Sequence, residues 1–238
     1  MILFNGISKK FQLKFKDRES AGNILSEALK ARIKKDERKN TLVLGIPRGG
    51  VITANIIARK LCCEFDIIIP RKLCAPSNEE LAIGAIMGDG TTYLNEMIVK
   101  NLKISTQYIQ NEKLRQIEEI NRRANLYCFG NREFMKFNNI NFSNKTIILV
   151  DDGAATGATL IVAARWIKVT KSPLHFILAI PTAPKHTLNL LKEEDFDCIE
   201  VITSPTSNFK SVEQYYKNFN QVTDEQVMDI LAKYQRVS

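Results

Sequence analysis

The chain predicts an α/β fold, a mostly parallel sheet with helices on both faces. Short, mostly apolar runs recur at residues 41–46, 65–69, 147–150, 174–180 and 198–202, the run at 147–150 uniformly so. Such runs are too short for amphipathic helices and suit strands buried on both faces. Helix-compatible segments alternate with them, the order that gives parallel strands. At 238 residues the chain can bury one full core, so one domain over residues 1–238 with a small appended subdomain is expected.

Each element has a local reason. Asp17 suits the N-cap of a first helix in which Ala21, Ile24, Leu25, Ala28 and Leu29 keep helical spacing. A strand over 41–46, a Gly/Pro-bearing turn, a helix over about 51–63 and a strand over 65–69 make a βαβ unit. Residues 70–80 are expected to form a loop. An apolar stretch over 81–87, the turn Gly88-Asp89-Gly90 and a strand over 91–94 then suggest a hairpin excursion. Ser105 suits the cap of a long, charge-rich helix reaching about Tyr127. After an Asn/Phe-rich connection come a strand at 147–150, a helix from Ala158 to about Trp166, a strand over 174–180, a helix begun near Pro184 and a strand over 198–202. The tail carries Tyr215, Tyr216 and Phe219, then a final helix that Asp224 opens.

Composition narrows the function. No stretch of eighteen apolar residues exists, and the start lacks a basic leader and a small-residue cleavage site, so a cytoplasmic protein with no membrane partner is expected. Five cysteines, Cys62, Cys63, Cys74, Cys128 and Cys198, contain no C-x-x-C pair and suggest reduced thiols rather than disulfides or zinc. The net charge of +8 suits an anionic ligand. No aromatic-interleaved basic motif or helix-turn-helix signal favours nucleic acid, and the basic run over 30–39 reads as a solvated helix end.

The most informative string is residues 147–159, I-I-L-V-D-D-G-A-A-T-G-A-T. Its loop follows a buried strand and opens a helix, so it lies where open α/β sheets bind ligands. The helix start offers unpaired N–H groups to an anion. Small residues at Gly153, Ala154, Ala155, Gly157 and Ala158 let the backbone close on a tetrahedral oxyanion, with hydroxyls from Thr156 and Thr159. Asp151 and Asp152 repel phosphate. They suit a neighbour that donates hydrogen bonds or carries a metal, and a ribose diol fits. The turn Pro47-Arg48-Gly49-Gly50 also joins a strand to a helix and suits a second anion beside the first.

This string resembles the phosphoribosyl pyrophosphate (PRPP) signature of the type I phosphoribosyltransferases. The wider chain resembles a little-characterised subgroup of predicted members, through residues 15–22, 45–50, 71–90, 122–123, 151–159 and 204–224. The resemblance implies a core over about 17–203 with a small hood subdomain that includes the C-terminal tail. It implies transfer of the 5-phosphoribosyl group from PRPP to an unidentified base or amine, with pyrophosphate released. Asp151 and Asp152 would bind the ribose, Ala154 to Thr159 the 5′-phosphate, and Arg48, Gly49 and Gly50 the pyrophosphate. Pro70-Arg71-Lys72 matches a mobile family loop, with Lys72 as the closing cation and Arg71 beside it on PRPP. Mg²⁺ would be held mainly by PRPP, through water to Asp151 or Asp152 at most, and a homodimer is expected. Ala155 stands where 6-oxopurine enzymes carry an Asp, which puts hypoxanthine and guanine in doubt. A PRPP- or nucleotide-sensing regulator and a phosphoribosyl hydrolase would need the same pocket.

Other residues invite plainer readings. Glu118, Glu119, Arg122, Arg123 and Tyr127 suggest a salt-bridged exposed helix face. His175 reads as a core histidine and His186 as surface. Tyr215, Tyr216 and Phe219 suit core packing or stacking on a base. Asn78, Glu79 and Glu80, with residues 82–85, suit the base side of the pocket.

Overall fold

The computed structural model describes residues 14–127 and 142–235. Cys128 and the Asn/Phe-rich connection lie outside the described residues. Five strands form a wholly parallel sheet: β1 (Thr41–Gly45), β2 (Glu64–Ile67), β6 (Thr146–Val150), β7 (His175–Thr182) and β8 (Cys198–Thr203). Their spatial order is β2-β1-β6-β7-β8.

Side-chain alternation builds two apolar layers. Val43, Ile148 and Val150 face one layer with α1 (Arg18–Lys30), α2 (Gly49–Leu61) and α7 (Asp224–Gln235). Leu42, Leu44, Ile147 and Leu149 face the other, with α5 (Ala158–Lys171) and α6 (Lys185–Leu191). The mostly apolar strands follow from this double burial. α2 and α5 therefore leave neighbouring strands on opposite faces, which opens a crevice at the carboxyl ends of β1 and β6. Sheets of this order bind ligands at such a switch point.

α1 begins with a capping box in which the Ser20 backbone N–H donates to Asp17 Oδ1 at 2.8 Å and the Asp17 N–H donates to Ser20 Oγ at 3.1 Å. Ala21, Leu25 and Leu29 are buried, whereas Ile24 is exposed. Residues 70–80, expected as a loop, instead form β3 (Arg71–Ala75) and the start of β4 (Asn78–Ile86). With β5 (Thr92–Leu94) these make an antiparallel sheet of order β3-β4-β5. In β3 only Leu73 and Ala75 are buried, too few for the alternation to announce a strand. A short helix, α3 (Glu96–Asn101), was not foreseen; Asn95 caps it by accepting from the Ile98 N–H at 3.2 Å. α4 (Thr106–Tyr127) packs on β3.

His175 is exposed at the first position of β7, and burial begins only with Phe176, so the core reading of this histidine is corrected. His186 is exposed as expected. Tyr215 and Tyr216 are buried with Phe15. Backbone bonds from Phe15 N to Tyr215 O, Lys217 N to Phe15 O and Asn218 N to Lys16 O, at 2.8, 2.8 and 2.9 Å, tie the segment before α1 to the tail. Among the described residues no helix is long and apolar enough to cross a membrane.

Leu149→Ala, at a fully buried position of β6, should lower the unfolding free energy by about 2–5 kcal/mol. Leu174→Ala, at an exposed position, should change it by less than about 0.5 kcal/mol. Urea unfolding of both variants checks the assignment; equal losses would contradict it.

Candidate active site

The crevice is formed by the loops that follow β1 and β6. They touch. Ile46 N donates to Val150 O at 2.9 Å. A Cβ on Gly50 would lie 2.8 Å from the Asp151 Cα, and one on Gly49 would lie 1.8 Å from Asp152 Oδ2. Residues 49 and 50 must therefore be glycine for the acid pair to sit where it does. The Pro47–Arg48 peptide is cis.

The two carboxylates are held differently. Asp151 Oδ1 accepts from the Asp152 backbone N–H at 2.8 Å. Asp152 Oδ2 accepts from Arg18 Nε at 2.7 Å, and its peptide oxygen accepts from the Tyr216 hydroxyl at 2.6 Å. Among the described residues, no N–H or hydroxyl donates to Asp151 Oδ2 or Asp152 Oδ1, and the two side chains lie close enough to share a hydrogen bond when one is protonated. Burial, then the adjacent Asp152 charge, pushes the Asp151 carboxyl well above the ordinary carboxylate range, while the Lys72 charge on β3 opposes the shift. Lys72 thus acts on the acid pair from an exposed strand position, and not from a loop.

Beyond the acid pair the chain wraps into α5. Ala154 N donates to Thr182 O at 2.9 Å, and the Thr187 hydroxyl donates to Ala155 O. Gly157 is the N-cap of α5 with φ +74°, in the left-handed region, and a Cβ there would meet the Thr187 methyl at 3.0 Å. Ala154, Gly157 and Ala158 are buried, whereas Ala155, Thr156 and Thr159 are partly open. Thr156 Oγ1 accepts from Ala158 N at 3.5 Å. The first-turn N–H groups of α5 point back along this loop, the arrangement that attracts an anion.

A network of opposite charges joins the first loop to α4 and α7. Arg48 Nη1 lies 3.8 Å from Asp224 Oδ1. Asp224 also accepts from Arg122 at 3.0 Å and from the Tyr127 hydroxyl at 2.6 Å. Burial opposes its ionisation, but the bonds from Tyr127 and Arg122 hold its carboxyl below the ordinary range. Glu119 accepts from Arg122 and Arg123, each at 2.7 Å. The α4 face is salt-bridged as expected but is not all exposed, because Arg123 and Tyr127 are buried. Arg71 Nε donates to Gln116 at 2.9 Å. It lines a cavity of about 530 Å³ with Arg115, Gln116, Glu118, Glu119 and Arg122. Arg71 and Lys72 are therefore separated, as neighbours in a strand must be.

Several expected residues lie elsewhere. Ala82, Ile83 and Ala85 are sealed in the core and cannot line a pocket. Asn78, Glu79 and Glu80 lie at the exposed start of β4, with Glu79 among the charges acting on Tyr108. Phe219 stacks on a cation of the chain itself, with Arg18 Cζ 3.8 Å from its ring centre. Arg18 and Asp224 enter the site without having been singled out as ligands, and Tyr216, expected to pack in the core or stack on a base, instead bonds the Asp152 peptide oxygen. The sequence signals for Arg18 are its place beside the N-cap Asp17 and within the segment 15–22 that carries part of the resemblance.

The family model of the phosphoribosyl transferase domain matches residues 14–220. Proteins of two strains of Mycobacterium tuberculosis, each named "putative phosphoribosyl transferase", are 31% identical over 222 residues, covering 93% of this chain and 47% of theirs. The chain spans about half the length of the curated relatives it matches. A crystal structure of a Thermus thermophilus protein superposes with a TM-score of 0.71 at 32% identity, over 93% of this chain and 99% of that one.

Hydrogen bonds from Arg122, with a further one from Arg123 that acts against the opposing effect of burial, lower the Glu119 pKa from 4.5 to about 2. A carboxylate depressed in the folded state stabilises above its unfolded pKa and loses that contribution as pH falls through the folded value. Glu119→Gln should therefore be less stable than the parent at pH 7, with the gap closing between pH 4.5 and about 2. Thermal unfolding across that range tests it; a gap that does not vary with pH would refute the linkage.

Proposed function

We propose that this chain, which belongs to the phosphoribosyl transferase family, moves the 5-phosphoribosyl group of PRPP to a nitrogenous base or amine and releases pyrophosphate. One observation carries the reading. Asp151 and Asp152 each keep one carboxylate oxygen that accepts from no N–H or hydroxyl among the described residues, beside a loop built to hold an anion. Two such acceptors match the two O–H donors of a vicinal diol, and the neighbouring helix start matches the 5′-phosphate.

In this reading Ala154, Ala155, Thr156, Gly157, Ala158 and Thr159 hold the 5′-phosphate, and Arg48, Gly49 and Gly50 hold the pyrophosphate. The C1–O bond breaks with its electron pair leaving on pyrophosphate, the acceptor nitrogen forms the C1–N bond, and its proton departs. Positive charge grows on the ribose beside Asp151 and Asp152, and negative charge grows on the leaving group beside Arg48 and Lys72. Fixed charges placed against both ends stabilise that separation more than they stabilise the reactants. Arg71 contributes positive potential from the α4 side of its strand.

Among the described residues no group of three His, Cys, Asp or Glu side chains could hold a metal. The acid pair suits Mg²⁺ carried by PRPP, which Asp151 or Asp152 would reach through water. When bound, the ion offsets charge on the leaving pyrophosphate. Ala155 supplies no carboxylate to take a purine ring proton, and Thr156 and Thr159 are poor bases near neutral pH. Adenine or a non-purine amine suits this loop better than hypoxanthine or guanine.

The test is pyrophosphate release from PRPP and Mg²⁺ with a panel of bases and amines. Hypoxanthine and guanine should rank low. With the best acceptor, Asp151→Asn and Asp152→Asn should each lose about 10²–10³-fold in kcat while retaining phosphate affinity. No release with any acceptor, or wild-type turnover in both variants, would overturn the reading.

A further inference from the structure

Arg18 breaks a local rule. It is the first residue of α1 and is buried, yet a cation at a helix N-terminus opposes the helix dipole, and a buried guanidinium is costly unless paired. Three contacts fix it. Nε donates to Asp152 Oδ2 at 2.7 Å, Nη1 donates to the Asn220 carbonyl at 2.8 Å, and Cζ lies 3.8 Å from the centre of the Phe219 ring. Both charged side chains are shielded, with 10% and 16% of their surface exposed.

The consequence lies in which oxygen Arg18 takes. Asp152 Oδ2 lies between the guanidinium and the backbone of Gly49, where a Cβ would come within 1.8 Å of it. That oxygen is closed to a ligand. Oδ1 is left, as Oδ2 is left on Asp151, to which no N–H or hydroxyl of the described residues donates. The Tyr216 hydroxyl donates to the Asp152 peptide oxygen at 2.6 Å and fixes the backbone from which the carboxylate projects.

We propose that Arg18 is a positioning residue: by occupying Asp152 Oδ2 it aims Oδ1 at one hydroxyl of the sugar and keeps the acid pair split into two single acceptors. The inference rests on the ribose reading of the pair. It also gives the N- and C-terminal segments a function, because the ladder between residues 15–16 and 215–218 delivers both Arg18 and its stacking partner Phe219 to the acid pair.

Calorimetric titration with two probes, ribose 5-phosphate and 2,3-dideoxyribose 5-phosphate, separates this role from a purely structural one without requiring turnover. Wild type should favour the diol-bearing sugar by about tenfold or more, the scale of hydrogen bonds to a charged group. Arg18→Met should reduce the preference to within about twofold while leaving the affinity for the dideoxy probe near that of wild type. Arg18→Lys keeps the charge but not the fork or the stacking, and should recover part of the preference; it also serves if Arg18→Met does not fold. In the Asp152→Asn background, Arg18→Met should change the preference no further, whereas an independent structural effect would add. If wild type discriminates and the folded Arg18 variants discriminate equally, the positioning role is wrong and the ribose reading stands. If wild type shows no preference, the ribose reading falls and this inference falls with it.

Discussion

Two adjacent carboxylates pressed against a glycine backbone at the end of β6 set the conditions that the surrounding structure meets. Asp151 and Asp152 repel each other, and burial raises the cost of charging both. The chain answers with the Asp152 N–H on one oxygen, Arg18 on another, and the charge of Lys72 acting from a separate sheet. None of these partners is near the pair in sequence except the N–H. The N-terminal segment, the antiparallel strands and the C-terminal tail are all drawn to one edge of the parallel sheet by this requirement.

A second layer of charge compensation surrounds the first. Arg48 follows the glycine contact outward and comes within 3.8 Å of Asp224 at the start of α7, where a carboxylate also suits the helix dipole. Asp224 in turn holds Arg122 and Tyr127 of α4. The loop that faces the proposed pyrophosphate is thus backed by fixed charges on two helices. Preorganisation of this kind lets a site stabilise separating charge without moving its own dipoles.

Much of this was legible in the sequence, and the reason is periodicity. The strand runs around residues 41–46, 147–150 and 174–180 are apolar at nearly every position because both faces are covered, so the parallel sheet announced itself. The loop at 151–159 was legible as a strand-to-helix turn because its small residues and paired acids sit between an apolar run and a helix-compatible one. β3 was not, since two buried residues in five make no pattern, and α3 is short enough to be set by one Asn cap. His175 was misread because the strand edge and the core edge differ by one residue. The bonds of Arg18 and Tyr216 to Asp152, and of Asp224 to Arg122, were not legible for a different reason: they span 134, 64 and 102 positions of chain, which no local pattern encodes.

The most direct test of the central claim, that the loop at the β6 carboxyl end holds the phosphoribosyl group of PRPP, is the thermal unfolding midpoint with and without PRPP and Mg²⁺, in wild type and in Gly157→Val. A ligand that binds only the native state raises the midpoint by mass action. The account predicts a rise in wild type that grows with PRPP concentration and no rise in the variant, whose branched side chain blocks a position held at φ +74°. No rise in wild type at millimolar PRPP, or an equal rise in a folded Gly157→Val protein, would contradict it.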